Sequence, residues 1–128
     1  MIVGLGVDLA EVERIADAIA RYGDRFLSRV YTPQEIASVG RKANAAERYA
    51  ARFAAKEAGM KALGTGWSRG IRWQDFEVAN LPSGQPTLRL AGQASQVAHT
   101  LGVRRIRLSL THARSLALAV VILEGGEN

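Results

Sequence analysis

Apolar positions along the chain change period several times, and each change marks an element. Ile2 to Leu9 is short, apolar and rich in β-branched residues, which predicts a buried strand. From Glu11 to Tyr22 the spacing becomes helical, with Val12, Ile15, Ile19 and Tyr22 as the apolar stripe. Arg14, Ala18, Arg21 and Arg25 recur at intervals of three or four on the other side and form a basic ridge, either a solvated face or a surface for a partner. Thr32-Pro33-Gln34-Glu35 opens a short helix, with threonine as cap, proline at the first helical position and glutamate at the third. Asn44 is placed to cap the most strongly helical segment, Ala45 to Leu63, which stops at Gly64-Thr65-Gly66. Asp75 to Leu81 and Thr87 to Leu90 flank Pro82-Ser83-Gly84-Gln85-Pro86 and predict two strands joined by a turn. Gly92 to Leu101 predicts a helix, and Arg105 to Thr111 alternates as a half-buried strand. After a turn near His112 to Ser115, the continuous apolar run from Leu116 to Leu123 predicts a buried partner strand. The mixed order gives an α+β fold, one domain over residues 1–128, with antiparallel strands packed on a long central helix. The Gly-Gly-Glu-Asn terminus is expected to fray.

Composition narrows the functional classes. With 128 residues, 48% of them apolar, the chain can build one modest core unaided. The absence of cysteine excludes a disulfide framework, a thiolate zinc site and a cysteine nucleophile. The 17 Lys and Arg against 12 Asp and Glu leave a charge of +5, which favours acidic or phosphorylated partners. Aromatic residues are only 6%, too few for a nucleic-acid surface built on base stacking. Met1 leads into an apolar run that Asp8 interrupts before signal-peptide length, and no run approaches the roughly 18 apolar residues of a membrane helix. The expectation is a cytoplasmic protein with no membrane span.

Candidate chemistry gathers on the central helix. On a helical wheel Met60, Phe53, Glu57, Ala50, Lys61 and Ala54 share one side, so two charges stand in an apolar stripe. Unpaired charges are costly to bury, so Glu57 and Lys61 require each other, a metal or an ionic ligand. Asp8 ends an apolar strand. It either caps a helix beginning near Ala10 or joins Glu57 as a second hard oxygen ligand of the kind magnesium uses beside phosphates and water. Gly64-Thr65-Gly66 is a helix stop or a phosphate-binding turn, the latter needing charge from Arg52, Lys56 and Lys61. Ser-His-Asp, HExxH, Walker and dinucleotide fingerprints are missing.

Taken in order, Gly-Leu-Gly-Val-Asp8-Leu, Glu11 to Ile15, Arg52-Phe-Ala-Ala-Lys-Glu57-Ala, Lys61-Ala-Leu-Gly-Thr-Gly66, Gly84-Gln-Pro86 and Leu108-Ser-Leu-Thr-His112 resemble the holo-[acyl-carrier-protein] synthase family over nearly the whole chain. The resemblance implies a 4′-phosphopantetheinyl transferase-like fold, commonly trimeric with sites between subunits. It implies transfer of 4′-phosphopantetheine from coenzyme A to a serine of apo acyl carrier protein, with release of adenosine 3′,5′-bisphosphate, in support of fatty acid biosynthesis. Magnesium is the implied cofactor, with Asp8 and Glu57 as its ligands and Lys61 completing the catalytic set beside the pyrophosphate. Arg52, Lys61, Gly64, Thr65, Gly66, Gly84, Pro86, Thr111 and His112 fall where the family surrounds coenzyme A. Arg14, Ala18, Arg21 and Arg25 fall on the face implied to meet the acidic carrier. Ala10 stands where larger members have a second acidic residue, and Ser115 and Leu116 replace an acidic residue and an aromatic common in relatives. A non-catalytic polyanion-binding module and a coenzyme A-binding trimer without transfer are the competing readings.

Overall fold

Strand β1 (Ile2–Glu11) leads into four helices, α1 (Val12–Tyr22), α2 (Asp24–Val30), α3 (Pro33–Val39) and α4 (Ala45–Leu63). A single 3-10 turn (Trp73–Asp75), the hairpin β2 (Phe76–Asn80) and β3 (Pro86–Leu90), helix α5 (Gly92–Thr100), β4 (Val103–His112) and β5 (Leu116–Gly125) follow. This is a computed structural model that describes residues 1–66 and 68–126; Glu127 and Asn128 of the terminus expected to fray lie outside the described residues. Antiparallel pairing gives a three-stranded sheet in the order β1-β5-β4, and β2 and β3 form a separate pair. Among the described residues no helix is long and apolar enough to cross a membrane.

Helix α4 is the axis of the fold because its small residues let everything else approach. Ala50, Ala54, Ala55 and Ala58 are completely buried. On one side a Cβ on Gly4 would lie 2.3 Å from the Ala62 carbonyl oxygen, and one on Gly6 only 1.9 Å from that of Ala58. The backbone of β1 therefore rests directly on the helix, an approach that only glycine permits. Elsewhere around α4, Gly59 leaves room for the Phe76 and Leu88 side chains of the hairpin.

The three helices before α4 show what short signals can and cannot carry. The Thr32 start of α3 forms as expected: the Thr32 hydroxyl accepts from the Glu35 N–H at 3.2 Å, and Glu35 Oε1 accepts from the Thr32 N–H at 3.0 Å. Glu35 also does more, since it is buried, pairs with Lys56 Nζ at 2.7 Å and accepts from the Val78 N–H at 2.8 Å. Lys56 is thus spent inside the fold and supplies no charge to the Gly64 turn. Helix α2 was not expected; seven residues are too few to show a period. Asn44 holds the N-cap position of α4, but its side chain makes no capping hydrogen bond. Tyr22, assigned to the apolar stripe of α1, is 53% exposed.

The two apolar strands also differ from expectation. β1 buries only its inner face, leaving Leu5, Val7 and Leu9 at least half exposed. In β5 the inner residues Ala117, Ala119, Val121 and Leu123 are buried, while Leu116 on the other face is exposed. The continuous apolar runs therefore encode two apolar faces, one of which the single chain leaves uncovered. As a test of the β1–α4 approach, Gly6→Ala should destabilise the protein by about 2 kcal/mol or more, lowering the thermal midpoint by roughly 5 °C or more in a calorimetric scan.

Candidate active site

The seam between β1 and α4 carries the charged cluster. Gly4 and Gly6 face α4, and the two-residue period of a strand puts Asp8 on the same side. Asp8 lies three positions before the Glu11 N-cap of α1, so it does not cap that helix. On α4, Glu57 and Lys61 stand one turn apart. Lys61 Nζ donates to Asp8 Oδ1 at 2.8 Å and to the Val7 carbonyl at 3.2 Å. Its side chain is largely exposed, not enclosed in an apolar stripe, and the hydrogen bond to Asp8 raises its pKa.

With Glu57 ionised, Asp8 Oδ2 is buried and has no hydrogen-bond donor among the described residues. Burial first, then hydrogen bonding and charge repulsion from Asp8, push the Glu57 carboxyl up from 4.5 to about 7, against opposing effects of Lys61 and Arg14. An orphaned carboxylate oxygen beside a carboxyl that resists ionisation is an arrangement a cation would relieve. Both donors are hard oxygens, and no cluster of three or more His, Cys, Asp or Glu residues is present among the described residues. The set fits magnesium, which takes one or two carboxylates and completes its shell with water and phosphate oxygens.

Beside Glu57 a cleft of about 540 Å³ opens between β1, α1 and α4, with Arg14, Ala18, Phe26 and Phe53 in its walls. Shallower hollows continue from it past Arg21 and Tyr22 to Arg25 and Arg29. Arg14, Arg21 and Arg25 are exposed. The basic ridge is not one helical face, however: Gly23, at φ 56°, ends α1, and Arg25 belongs to α2. Phe26 and Arg29 were missed with that helix, and the only available signal was the glycine that separates it from α1.

The remaining residues implied to contact coenzyme A are distributed over the molecule. Arg52 is buried, donates from Nη1 to the Arg48 carbonyl at 3.3 Å, and keeps an Nε without a partner among the described residues. Burial and the adjacent Arg48 lower its pKa. Gly64 ends α4 in the left-handed region at φ 78°, so Thr65 and Gly66 follow Lys61 closely. Gly84 and Pro86 stand at the hairpin turn and Thr111 and His112 at the end of β4, where His112 Nδ1 is 3.7 Å from Glu47 Oε1. No described hydrogen bond or ion pair joins these four to the Asp8 cluster.

The Glu57 shift has a pH consequence for the metal-free protein. The folded chain keeps the Glu57 proton up to about pH 7, whereas an ordinary carboxyl releases it near 4.5. The stability conferred by that proton is complete below pH 4.5 and is lost as pH rises to about 7. Glu57→Gln should therefore melt a few degrees above the wild type at pH 8 in metal-free buffer, with the difference vanishing toward pH 4.5 in the same calorimetric scans.

Known proteins resemble this chain over nearly its whole length. A family model described as the 4′-phosphopantetheinyl transferase superfamily matches residues 4–121. A holo-[acyl-carrier-protein] synthase of Solibacter usitatus is 68% identical over 97% of this chain and 99% of its own length. The crystal structure of holo-[acyl-carrier-protein] synthase from Neisseria meningitidis superimposes with a TM-score of 0.88 at 30% identity, covering 97% of this chain and 99% of that one. A holo-(acyl-carrier-protein) synthase from Bacillus anthracis, solved in complex with CoA (3′,5′-ADP), gives a TM-score of 0.80 at 34% identity, covering 98% of this chain and 99% of that one. The chain belongs to the 4′-phosphopantetheinyl transferase superfamily, among its holo-[acyl-carrier-protein] synthases.

Proposed function

We propose that the protein transfers 4′-phosphopantetheine from coenzyme A to a serine of apo acyl carrier protein and releases adenosine 3′,5′-bisphosphate. The observation that carries this reading is the convergence of Asp8, Glu57 and Lys61, with one buried carboxylate oxygen unpartnered and one carboxyl held near neutrality. The names of the relatives and the coenzyme A complex of one of them support it. Phosphoryl transfer asks for positioning and charge neutralisation more than for covalent help. Asp8 and Glu57 would hold Mg²⁺, which when bound neutralises charge building on the pyrophosphate oxygens. Lys61, anchored by Asp8 but exposed, adds a cation that can reach the same oxygens. The serine oxygen forms a bond to the phosphorus that bears the pantetheine, and the bond from that phosphorus to the bridging oxygen breaks. The bridging electrons leave with the adenosine bisphosphate. The serine proton passes to Glu57, directly or through one water that Glu57 holds. A mass assay with coenzyme A, magnesium and apo carrier protein should show one added phosphopantetheine, and Asp8→Ala should lower turnover by on the order of 10²-fold or more. An unmodified carrier across several carrier proteins would refute the reading.

The carrier face is the exposed strip along α1 and α2. Arg14, Arg21 and Arg25 supply positive charge to an acidic helix, and Ala18 leaves a shallow apolar step between them. Arg21→Glu combined with Arg25→Glu should raise the KM for the carrier by about tenfold and flatten its salt dependence, with kcat little changed.

A trimer is part of the proposal. The uncovered face of the sheet carries Leu5, Val7 and Leu9 in an unbroken row that ends at Glu11, opposite Leu116, the kind of surface that another subunit covers. Assembly would also let Arg52, the Gly84–Pro86 turn and Thr111-His112 complete a neighbour's coenzyme A site that a single chain leaves open. Light scattering should give three times the chain mass. Leu5→Lys with Leu9→Lys should give a folded monomer that has lost affinity for coenzyme A.

A further inference from the structure

Lys56 immediately precedes Glu57 in α4 but enters a part of the structure that the proposed chemistry does not use. Its side chain is fully buried. The ammonium lies 2.7 Å from Glu35 Oε1, donates to the carbonyl of Trp73 at 3.3 Å and to that of Phe76, and sits 5.6 Å from the centre of the Tyr31 ring. Glu35 is fixed in turn by the backbone N–H groups of Thr32 and Val78. Gln74 extends the same set of contacts by donating to the carbonyls of Ser28 and Tyr31. One side chain of α4 is thereby tied to α3, to the 3-10 turn and to β2, and through Gln74 to the end of α2.

Stability alone is a weak reason for such a pair, because the desolvation of two ions offsets much of their attraction and apolar residues of similar volume often serve as well. Direction is a better one. Successive residues of a helix project about 100° apart. Ala58, the residue after Glu57, is where Gly6 presses against α4. The two attachments at Lys56 and Ala58 are thus about 200° apart around the helix axis, and Glu57 projects midway between them. Rolling of the helix is opposed from both sides. A roll of about 10° would carry a carboxylate roughly 6 Å from the axis through about 1 Å. A displacement of about 1 Å is enough to cost on the order of 10²-fold in a reaction that depends on geometry.

We propose that the Lys56–Glu35 pair sets the rotation of α4 and so aims the Glu57 carboxylate at the cation site it shares with Asp8. Lys56 and Glu35 are positioning residues that touch neither substrate. The inference rests on Asp8 and Glu57 forming a metal site, and its test separates the two. Lys56→Met combined with Glu35→Gln removes both charges while keeping the volume. Glu35→Gln alone keeps both carbonyl acceptors of the lysine, is the milder change, and should act in the same direction. Val97→Ala, on the buried face of α5, is a destabilised control away from the cluster.

The probe is Mn²⁺, titrated against each protein by electron paramagnetic resonance without coenzyme A, followed by steady-state kinetics with magnesium. The double variant should remain folded by circular dichroism, bind Mn²⁺ about tenfold more weakly, and lose about tenfold or more in kcat with the coenzyme A KM within about twofold. Val97→Ala should melt earlier with Mn²⁺ affinity and kcat unchanged. Wild-type Mn²⁺ affinity in both charge-removing variants, alongside its loss in Asp8→Asn, overturns this inference alone. An equal loss in Val97→Ala does the same. Mn²⁺ binding that is indifferent to Asp8→Asn overturns the metal site and this inference with it.

Discussion

The backbone contact between β1 and α4 is the constraint on which the rest depends. Two glycines lie against helix carbonyls at separations that would overlap any side chain, and the alanines opposite them keep the helix surface low. The effect is to bring the strand's next inward residue, Asp8, within hydrogen-bond distance of Lys61 and beside Glu57. If the strand stood off by the thickness of a methyl group, the two carboxyl groups would face each other across a gap. The accuracy of the site therefore comes as much from missing side chains as from those present.

Helix α4 carries charges in two conditions, and the difference separates framework from site. Lys56 finds every partner it needs within the chain, in Glu35 and two carbonyls. Arg52 Nε is buried without any partner among the described residues, and the neighbouring Asp8 Oδ2 on β1 is left without a donor once Glu57, which resists ionisation, gives up its proton. Completed polar groups in a core add rigidity, whereas incomplete ones cost free energy until something arrives. The incomplete groups here are an acid pair suited to a cation and a guanidinium suited to an anion. A ligand that brings a cation and phosphates together offers both.

Much of the fold was legible because independent signals coincided. The bounds of α4 followed from alanine-rich composition and the glycine stop at Gly64, and α3 from a capping box that the structure contains. The hairpin was announced by its turn residues. Helix α2 escaped because two turns of a helix are too few to set a pattern. The exposed outer faces of β1 and β5 escape because a run of apolar residues reads the same whether its second face meets the core or stays open. At the site, the unusual setting of Glu57 could be read, but its meeting with Asp8 could not, since nothing local relates positions so distant in sequence. Lys56 was read as a ligand-facing charge because an alanine-rich helix does not show which side is buried most deeply. The roles of the coenzyme A residues came from resemblance alone, and a single chain does not bring them together.

The alternation along β1 gives each neighbouring residue a different duty. Leu5, Val7 and Leu9 point to the uncovered face, while Gly6, Asp8 and Ala10 point to α4. A slip of one residue would exchange the two sets, placing a carboxylate on the exposed apolar face and a branched side chain against the helix carbonyls. Neither outcome is tolerable, so errors of pairing in this strand are penalised twice over. The exposed apolar face and the candidate site share a single register, and the irregularity between Ile2 and Gly4 falls before the first residue on which both depend.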